Sequence, residues 1–246
     1  MAFDSSKHKA TQSDDGSFTA YSTEFEEHYH STKDGALHES LSKHVLPALK
    51  HTQDKDEIRI LDICFGLGFN TLATLHALKD SNKKIHIYSP EFDEDLVRSL
   101  IDFQYPNEFD EYKEIISSLA NTQKYESDKI NISVYLGDAR VFVRDTKVKF
   151  DVVYQDAFSP SSNPLLWTSE YFQDITKLMK DDAILTTYST ALATRIALYE
   201  NGLNVYLHKG EGFRNATLAS KSELKYEDVD VEHKMNCNPD ISSLRD

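Results

Sequence analysis

A glycine-containing loop is the first feature of the sequence that could bind a ligand. It lies between an apolar, strand-like run and an amphipathic helical stretch, and it reads Leu61-Asp62-Ile63-Cys64-Phe65-Gly66-Leu67-Gly68-Phe69-Asn70-Thr71. Glycines in that context let the backbone approach a ligand closely, beside the N-terminus of a helix. Thr71 stands where a dinucleotide fingerprint has its third glycine, which weakens a nicotinamide interpretation. A tight structural turn without a ligand is the alternative.

Two carboxylates follow the next two strand-like runs. Glu91 is placed where a carboxylate accepts hydrogen bonds from both ribose hydroxyls of an adenosine. Asp138, in Gly137-Asp138-Ala139, could accept a hydrogen bond from an adenine amino group, although an ordinary helix N-cap is the alternative. Because the carboxyl ends of parallel strands meet at one sheet edge, these loops predict a nucleoside pocket. The sequence has no Gly-x-x-x-x-Gly-Lys motif for a polyphosphate, so S-adenosylmethionine fits the prediction.

Asp156 is the candidate catalytic residue. It directly follows the fourth predicted strand and begins a proline-containing loop, in which Phe158 and Trp167 are aromatic side chains that could hold a flat substrate. An amine attacks only in its neutral form, so a carboxylate within hydrogen-bonding reach can orient it, accept its proton, or both. The alternative is that Asp156 merely caps the following turn.

These motifs resemble the methyltransferase domains of the bifunctional tRNA 5-methylaminomethyl-2-thiouridine biosynthesis proteins. The resemblance covers residues 14–220 and rests on the following residues: Asp15-Gly16, Ser22, Phe25, Tyr29, Asp34 to Ser40, Phe65 to Asn70, Glu91, Gly137 to Ala139, Asp156 to Pro160, Asn163-Pro164 and Trp167. It implies S-adenosyl-L-methionine-dependent methylation of the aminomethyl group at C5 of a tRNA wobble uridine. The substrate would be 5-aminomethyl-2-thiouridine and the product 5-methylaminomethyl-2-thiouridine.

The resemblance also implies a set of donor-binding residues. They are Tyr29, Glu39, Asp62, Gly66, Gly68, Asn70, Glu91, Asp138 and Asp156. Within this set, Glu91 is expected at the ribose, Asp138 at the adenine and Asp156 at the reacting amine. Gly66, Gly68 and Asn70 would line the methionine end of the donor, and Tyr29 and Glu39 would close the pocket from above.

Two features depart from the family pattern. The bifunctional proteins carry an FAD oxidase domain, and we expect a stand-alone form without it because the chain ends at Asp246. The family's basic run near the end reads Gly210-Glu211-Gly212-Phe213-Arg214-Asn215 here, and the net charge of −14 repels polyanions at long range. We therefore expect weak, local tRNA contacts through Lys209 and Arg214, which lie in the weakly charged stretch Ala183 to Ser220.

Strand-like runs alternate with helical periodicity from Arg59 onward, which predicts an α/β fold. The predicted strands are Arg59–Cys64, Lys84–Ser89, Asn131–Leu136, Phe150–Gln155, Ala183–Tyr188, Asn204–His208 and Arg214–Ser220. The predicted helices are Asn70–Lys79, Glu94–Phe103, Asn107–Ala120, Ser169–Met179 and Ala191–Glu200. The last two strands are too close for a crossover helix, so they should form an antiparallel hairpin at the sheet edge. We expect a Rossmann-like class I methyltransferase fold whose seven-stranded, mostly parallel sheet ends in that hairpin.

Composition limits the class of protein. The 246 residues are 39% hydrophobic and 28% charged, as in a globular chain. No apolar run reaches membrane-spanning length, and the two distant cysteines indicate neither disulfides nor zinc, so we expect a cytoplasmic protein. Its expected organisation is an N-terminal extension or lid over the donor pocket (1–57), a methyltransferase core (58–220) and a polar acidic tail (221–246). The tail is expected to be partly disordered near its end.

Other functions remain open at this point. A small-molecule amine methyltransferase or aminopropyltransferase suits the acidic balance, since amine substrates are cationic. A non-catalytic module that only binds S-adenosylmethionine is a further alternative. His28 and His30 could form a metal pair, but no third ligand is placed by the sequence, so we expect no metal. The oligomeric state is not fixed by the sequence, with a monomer slightly favoured.

Overall fold

The structure, a computed structural model, describes residues 3–210 and 212–246, and this part of the chain forms two sheets. The strands of the first, antiparallel sheet are β1 (His8–Gln12), β2 (Phe18–Ser22) and β3 (Glu27–His28). The strands of the second sheet are β4 (Glu57–Ile63), β5 (Lys84–Glu91), β6 (Lys124–Glu126), β7 (Ile130–Leu136), β8 (Phe150–Gln155), β9 (Met179–Thr187), β10 (Asn204–His208), β11 (Ala216–Ser220) and β12 (Glu227–Asp228). The second sheet carries the candidate site.

Helices lie before, between and after the strands of the second sheet. They are α1 (Ala36–Glu39), α2 (Leu46–His51), α3 (Phe69–Ala77), α4 (Glu94–Ser99), α5 (Lys113–Thr122), α6 (Ala139–Asp145), α7 (Ser169–Leu178), α8 (Leu192–Glu200) and α9 (Val231–Cys237). Helices α3 to α8 lie between strands of the second sheet, whereas α1 and α2 precede it and α9 follows it. Short 3₁₀ turns occupy Leu100–Asp102, Asn107–Tyr112 and Pro164–Leu166. Among the described residues, no helix is both long enough and apolar enough to span a lipid bilayer.

The strand order of the second sheet is β12-β10-β11-β9-β8-β4-β5-β7-β6. Strands β9, β8, β4, β5 and β7 are parallel neighbours, whereas β10 and β11 pair antiparallel. This arrangement confirms the predicted α/β methyltransferase fold, and all seven predicted strands are present. Two short strands, β6 and β12, add one antiparallel pairing at each edge. The predicted hairpin is therefore not the edge of the sheet, because β12 pairs with its outer strand, β10. The sequence did not predict β6 or β12, because two or three residues carry no periodic signal.

The N-terminal segment is folded rather than irregular. Its three short strands form a meander, and residues 36–51 then form one continuous helix in which Ser40–Val45 is a π-helical turn between α1 and α2. The helix packs on α3 and on β9, and His51 Nε2 lies 2.7 Å from the carbonyl oxygen of Asp182. The polar composition of this segment hid its elements from a hydrophobic-pattern analysis.

Two apolar clusters lie on opposite faces of the second sheet, because successive strand residues point to opposite sides. On β4, Ile58 and Ile60 belong to one cluster, and Leu61 and Ile63 belong to the other. The first cluster contains side chains of α3, α4 and α5, and the second those of α6, α7 and α8. Burial on both faces fixes the strands, so the loops at their carboxyl ends start from a rigid base.

The end of the chain is ordered, which makes the expectation of a partly disordered tail wrong. Ser243 is buried, Leu244 bridges to Thr168, and Arg245 lies 3.1 Å from Glu200. Asp246 accepts a hydrogen bond from Thr168 Oγ1 at 2.8 Å. Composition did not show this, because the tail is held mainly by polar contacts to residues distant in sequence.

Asp151 links three segments below the sheet's functional edge. It is 1% exposed and accepts hydrogen bonds from Lys55 Nζ (2.7 Å), Lys180 Nζ (2.7 Å) and the backbone N–H of Arg59 (2.9 Å). Burial acts to raise the pKa of its carboxyl group, but the two lysines and the backbone N–H hold this pKa below its usual range. The ionised carboxylate therefore joins the start of β8 to β4 and β9.

We expect Asp151→Asn to lower the free energy of unfolding at pH 7 by about 2–3 kcal/mol, because charge-assisted hydrogen bonds contribute about 1.5–3 kcal/mol. Because the folded pKa is lowered, this stabilisation is present above the unfolded pKa of about 3.9 and is lost as the pH falls through the folded pKa. Urea titrations at several pH values measure both effects. The control is Asp181→Asn at a fully exposed site; equal losses in the two variants at pH 7 would contradict the assignment.

Candidate active site

A cavity of about 830 Å³ opens at the carboxyl ends of β4, β5, β7 and β8. Residues between β1 and α1 form its other wall. Eight of the residues singled out from the sequence line it: Tyr29, Glu39, Gly66, Glu91, Asp138, Asp156, Phe158 and Arg214. A cavity of this size lies within the range of small-molecule sites.

The glycine loop forms the floor of this cavity and leads into α3. Gly66 and Gly68 have φ angles of 54° and 73°, in the left-handed region that favours glycine. A Cβ at Gly66 would lie 3.1 Å from the Tyr29 ring, and one at Gly68 would lie 2.9 Å from the Phe65 ring. Cys64 also has a positive φ of 65°, and its thiol is held neutral because burial raises its pKa. The loop is thus a tight turn whose small residues leave room above it.

Glu91 lies at the end of β5 with its carboxylate turned towards the glycine loop. Its two oxygens accept hydrogen bonds from the backbone N–H groups of Gly66 (2.8 Å) and Asp93 (2.9 Å). The side chain is buried, and burial raises its pKa despite these hydrogen bonds. Glu91 therefore presents a fixed carboxylate on the cavity wall, where it can accept hydrogen bonds from hydroxyl groups of a ligand.

Asp138 caps α6 and also faces the cavity. Its Oδ1 accepts hydrogen bonds from the backbone N–H groups of Arg140 (2.7 Å) and Val141 (3.3 Å). The N-cap alternative is therefore true of the local structure, and it leaves the second carboxylate oxygen available to a ligand. The two interpretations of Asp138 do not exclude each other.

Asp156 stands where β8 ends, and two side chains fix its carboxylate. Asn70 donates to Oδ2 at 2.8 Å, and His44 Nε2 lies 3.3 Å from Oδ1. Burial acts to raise the pKa of Asp156, but the interactions with His44, and to a lesser extent with His30 and Asn70, hold it below its usual range. Asp156 is thus an ionised, oriented carboxylate on the cavity wall.

Asp62 lies behind Asp156 and does not line the cavity. Thr71 Oγ1 donates to its Oδ2 at 2.9 Å, and Asn70 Nδ2 lies 3.4 Å from its Oδ1. Burial raises the pKa of Asp62 to about 7, and the nearby charge of Asp156 adds to this shift although the hydrogen bond from Thr71 opposes it. Asn70 therefore bridges two carboxyl groups whose pKa values are shifted in opposite directions.

The N-terminal segment is fastened to the sheet on both sides of the cavity. On one side, the Tyr29 hydroxyl lies 3.2 Å from His8 Nδ1, and His8 Nε2 lies 3.1 Å from Asp93. On the other, Glu27 accepts hydrogen bonds from the backbone N–H of Ser159 (2.9 Å) and from the hydroxyls of Ser159 and Ser162. These contacts hold the segment over the carboxyl ends of the strands.

Glu39 and the aromatic residues complete the N-terminal side of the cavity. Glu39 accepts hydrogen bonds from the backbone N–H of Ser31 at 2.6 Å and from Lys43 Nζ. The Phe158 ring stacks on Phe25 at 4.6 Å between ring centres and contacts Tyr29 at 4.9 Å. An aromatic cluster therefore joins the N-terminal segment to the loop that begins at Asp156.

Two predicted substrate-binding residues lie away from the cavity wall. Trp167 is fully buried, and its Nε1 donates to the carbonyl oxygen of Phe158 at 2.7 Å, so it supports the loop from below. Lys209 forms an exposed ion pair with Glu227 at 2.7 Å. Spacing alone could not distinguish the aromatic residue that faces the cavity from the one beneath it, nor reveal the partner of Lys209 on β12.

The sequence analysis did not identify three residues of the site as functional candidates: His44, Glu27 and Lys33. His44 is fully buried on the π-helical turn, and the sequence does not distinguish it from His38 and His51 in the same helical stretch. Lys33 and Arg214 both line the cavity. His28 and His30 have separate partners, and no cluster of three potential metal ligands occurs among residues 3–210 and 212–246.

The site fits an adenosine bearing a positively charged sulfur. The glycine turn leaves backbone space that a Cβ would restrict, and Glu91 offers a buried carboxylate beside it. Among the described lining residues, eight carboxylates outnumber four lysines and arginines, which favours a cation. The residues therefore suit S-adenosyl-L-methionine, which supplies an electrophilic methyl group when bound.

Comparisons with known proteins agree with this chemistry. Residues 107–222 match a family described as S-adenosyl-L-methionine-dependent methyltransferase. An uncharacterized protein of Methanocaldococcus jannaschii is 34% identical over 222 residues, which are 88% of this chain and 60% of that protein. The tRNA 5-methylaminomethyl-2-thiouridine biosynthesis bifunctional protein MnmC of Ralstonia nicotianae is 28% identical over 228 residues, 82% of this chain. The chain spans only 33% of that protein's length.

Two solved structures resemble the whole chain. A probable spermidine synthase of Corynebacterium glutamicum superimposes with a TM-score of 0.60 at 12% identity, covering 97% of this chain and 92% of that one, and shows the shared fold alone. MnmC2 from Aquifex aeolicus superimposes with a TM-score of 0.86 at 30% identity, covering 99% of this chain and 80% of that one. The chain therefore belongs to the MnmC family of S-adenosyl-L-methionine-dependent methyltransferases.

Proposed function

We propose that this methyltransferase acts on the aminomethyl group at C5 of a tRNA wobble uridine, converting 5-aminomethyl-2-thiouridine to 5-methylaminomethyl-2-thiouridine. The observation that carries the proposal is the fixed carboxylate of Asp156 on the cavity wall, held by Asn70 and His44. A carboxylate in that position suits an amine acceptor better than a hydroxyl or a carbon. The names of the MnmC relatives supply the substrate, and a tRNA substrate agrees with the cytoplasmic location expected from the sequence.

In this proposal the loops after the strands bind the donor, and the N-terminal segment covers it. Glu91 binds the ribose, Asp138 binds the adenine, and the glycine loop contacts the methionine end of the donor. Residues 1–57 form the cover, residues 58–220 the methyltransferase core and residues 221–246 the tail. The fastening of Tyr29 to His8 and of Glu27 to Ser159 supports a cover that excludes water from the donor.

Asp156 orients the acceptor amine in this proposal and accepts a proton from it. An ammonium group has no lone pair, so the amine must lose a proton before it can attack. The lowered pKa of Asp156 keeps the carboxylate ionised, which attracts the incoming amine and aligns it. Phe158 and its aromatic neighbours then offer a face for the uracil ring.

A small, cationic amine is the second candidate acceptor. The excess of carboxylates around the cavity favours it, because a polyamine carries several positive charges. The same excess opposes a nucleic acid, whose phosphates must approach past these carboxylates. A non-catalytic binding module has less support, because such a module would not need the hydrogen bond from Asn70 that fixes Asp156.

The deciding experiment incubates the pure protein with S-adenosyl-L-methionine and one of four acceptors. These are unmodified tRNA, carboxymethylaminomethylated tRNA, aminomethylated tRNA and free spermidine. Mass analysis of the digested nucleosides should show an added mass of about 14 Da on the aminomethyl nucleoside alone, because one methyl group replaces one hydrogen atom. Transfer to spermidine with no transfer to tRNA would overturn the tRNA proposal in favour of the second candidate.

The carboxylate of Glu91 is expected to bind the donor. We expect Glu91→Gln to weaken binding of S-adenosyl-L-methionine by about 10- to 100-fold, because charge-assisted hydrogen bonds contribute about 1.5–3 kcal/mol. Isothermal calorimetry measures the affinity. The matched control is Glu126→Gln on the edge strand β6, remote from the cavity. Unchanged affinity in the Glu91 variant would remove Glu91 from the donor site.

Asp156 is expected to serve methyl transfer rather than donor binding. Asp156→Asn should bind the donor within a few-fold of the wild type but methylate the acceptor about 10²–10⁴-fold more slowly, because the general base and orienting charge are lost. Initial rates at saturating donor measure this. The control is Asp145→Asn at the exposed end of α6. Turnover of Asp156→Asn within a few-fold of the wild type would make Asp156 a structural residue.

Two cations at the cavity are expected to contact tRNA. Lys33 and Arg214 line the cavity, and no ion pair involves either of them among the described residues, so they are the best placed cations to contact phosphates beside the target nucleotide. The double variant Lys33→Ala, Arg214→Ala should bind tRNA more weakly while donor affinity stays unchanged. Two phosphate contacts predict a log–log salt slope of only about −1 to −2 for the wild type.

The comparison variant is Lys209→Ala, whose ammonium group is paired with Glu227 outside the cavity. Filter binding across a salt series measures all three proteins. Equal weakening by Lys209→Ala and by the double variant, or a much steeper salt slope in the wild type, would contradict the assignment of the phosphate contacts to the cavity mouth.

A further inference from the structure

A fully buried histidine lies directly behind the candidate catalytic carboxylate. His44 Nε2 is 3.3 Å from Asp156 Oδ1, and His44 Nδ1 is 2.9 Å from the hydroxyl of Thr186 on β9. Its ring also meets the Tyr154 ring edge-to-face at 5.9 Å. Thr186, Tyr154 and Asp156 thus set the position of the imidazole from three sides.

The segment that carries His44 has an unusual backbone. His44 lies in the π-helical turn Ser40–Val45 between α1 and α2. Single π-helical turns inserted in an α-helix often lie at functional sites. The inserted turn changes the direction in which its side chains project, and here it accompanies an imidazole that points to the cavity's ionised carboxylate rather than into the apolar core.

Nε2 of His44 faces the carboxylate of Asp156 and no neutral hydrogen-bonding group among the described residues. Asn70 occupies Oδ2, and Nε2 has no hydrogen-bonding contact among the described residues other than its approach to Oδ1. Thr186 Oγ1 can either accept from or donate to Nδ1, so the ring can hold a proton on either nitrogen or on both. A group with that freedom can take up a proton that Asp156 receives.

We propose that His44 is a positioning residue that holds Asp156 in place and takes up, through it, the proton released by the acceptor amine. This inference rests on the proposed function. One N–H bond of the protonated amine breaks, its electron pair stays on nitrogen as the lone pair, and the proton passes to Asp156 and on to His44 Nε2. The nitrogen lone pair forms the new N–C bond as the methyl–sulfur bond breaks, and that bonding pair stays on sulfur. After the product leaves, the proton returns through Asp156, which lines the cavity, to water.

Other ionisable groups face this pair from every neighbouring element, and they contribute to its pH dependence. They are His30 on the N-terminal segment with Glu39 and Lys43 beside it, Asp62 and Cys64 on and after β4, Tyr154 on β8, Tyr188 after β9, and His208 on β10. His30 packs on Phe69 with its Nδ1 3.3 Å from Thr19, and burial lowers its pKa. Among the described residues, the hydrogen-bonding partner of His30 is thus Thr19, whereas His44 lies 3.3 Å from Asp156.

The test compares His44→Gln with the wild type. Glutamine can place an amide group near Asp156 at a similar distance, but it cannot take up a proton. We expect methyl transfer at pH 7 to fall about 10²-fold, at the lower end of general-base effects, and to recover partly as the pH rises. Donor affinity and the thermal unfolding midpoint should stay close to those of the wild type. The control is His86→Gln, a partly exposed histidine on β5 remote from the cavity.

A double variant distinguishes shared action from separate structural effects. If His44 acts through Asp156, adding His44→Gln to Asp156→Asn should slow transfer no further, because residues that act as a unit are not additive. Independent, additive losses would overturn the proposal. So would a His44→Gln rate within about threefold of the wild type with an unchanged pH profile.

A second readout needs no methyl transfer. Nitrogen NMR of selectively labelled histidine should compare the Nε2 resonance of His44 in the wild type and in Asp156→Asn at one pH. We predict that this resonance moves in the variant, because Nε2 lies 3.3 Å from Asp156 Oδ1 and loses its anionic neighbour. An unchanged Nε2 resonance in the variant would overturn the proposal. Because this readout is independent of tRNA, failure of the proposed substrate leaves the test of His44 intact.

Discussion

Three acidic side chains, Asp62, Glu91 and Asp156, lie close together at one edge of a parallel sheet, and the need to provide them with partners shapes the site. Removing a carboxylate from water is costly unless hydrogen bonds or opposite charges replace the solvent. Here backbone N–H groups serve Glu91, and Asn70 serves both aspartates. The glycine loop is therefore more than a space for a ligand, because it also supplies the donors that hold the carboxylates in place.

The remaining partners come from the N-terminal segment, which makes that segment part of the site. His44 contacts Asp156, and Glu27 holds the backbone and hydroxyl of Ser159 in the loop that Asp156 begins. Movement of the segment away from the sheet would remove the imidazole from the carboxylate and release the loop at the same time. In the covered cavity, the imidazole of His44 and the contacts of Ser159 therefore hold Asp156 and its loop in place together.

The sequence predicted what depends on local pattern. Burial of β4 and β8 on both faces produced the strand signals, and the carboxylates at 91, 138 and 156 followed from the rule that parallel strands end at one edge. Contacts between distant segments were not visible. Asp156 and His44 are separated by more than a hundred positions, and Lys209 has a partner on a strand of two residues. Trp167 and Phe158 carry the same aromatic signal, although one supports the loop and the other faces the cavity.

The most direct measurement is a crystal structure with sinefungin, in which a carbon bearing an amino group replaces the methylated sulfur of the donor. The account predicts that this amino group lies within hydrogen-bonding distance of Asp156, about 3 Å, while the ribose hydroxyls contact Glu91. Asp156 should keep its contacts with Asn70 and His44. An adenosine bound away from Glu91, or an amino group directed away from Asp156, would contradict the central claim that this carboxylate receives the amine.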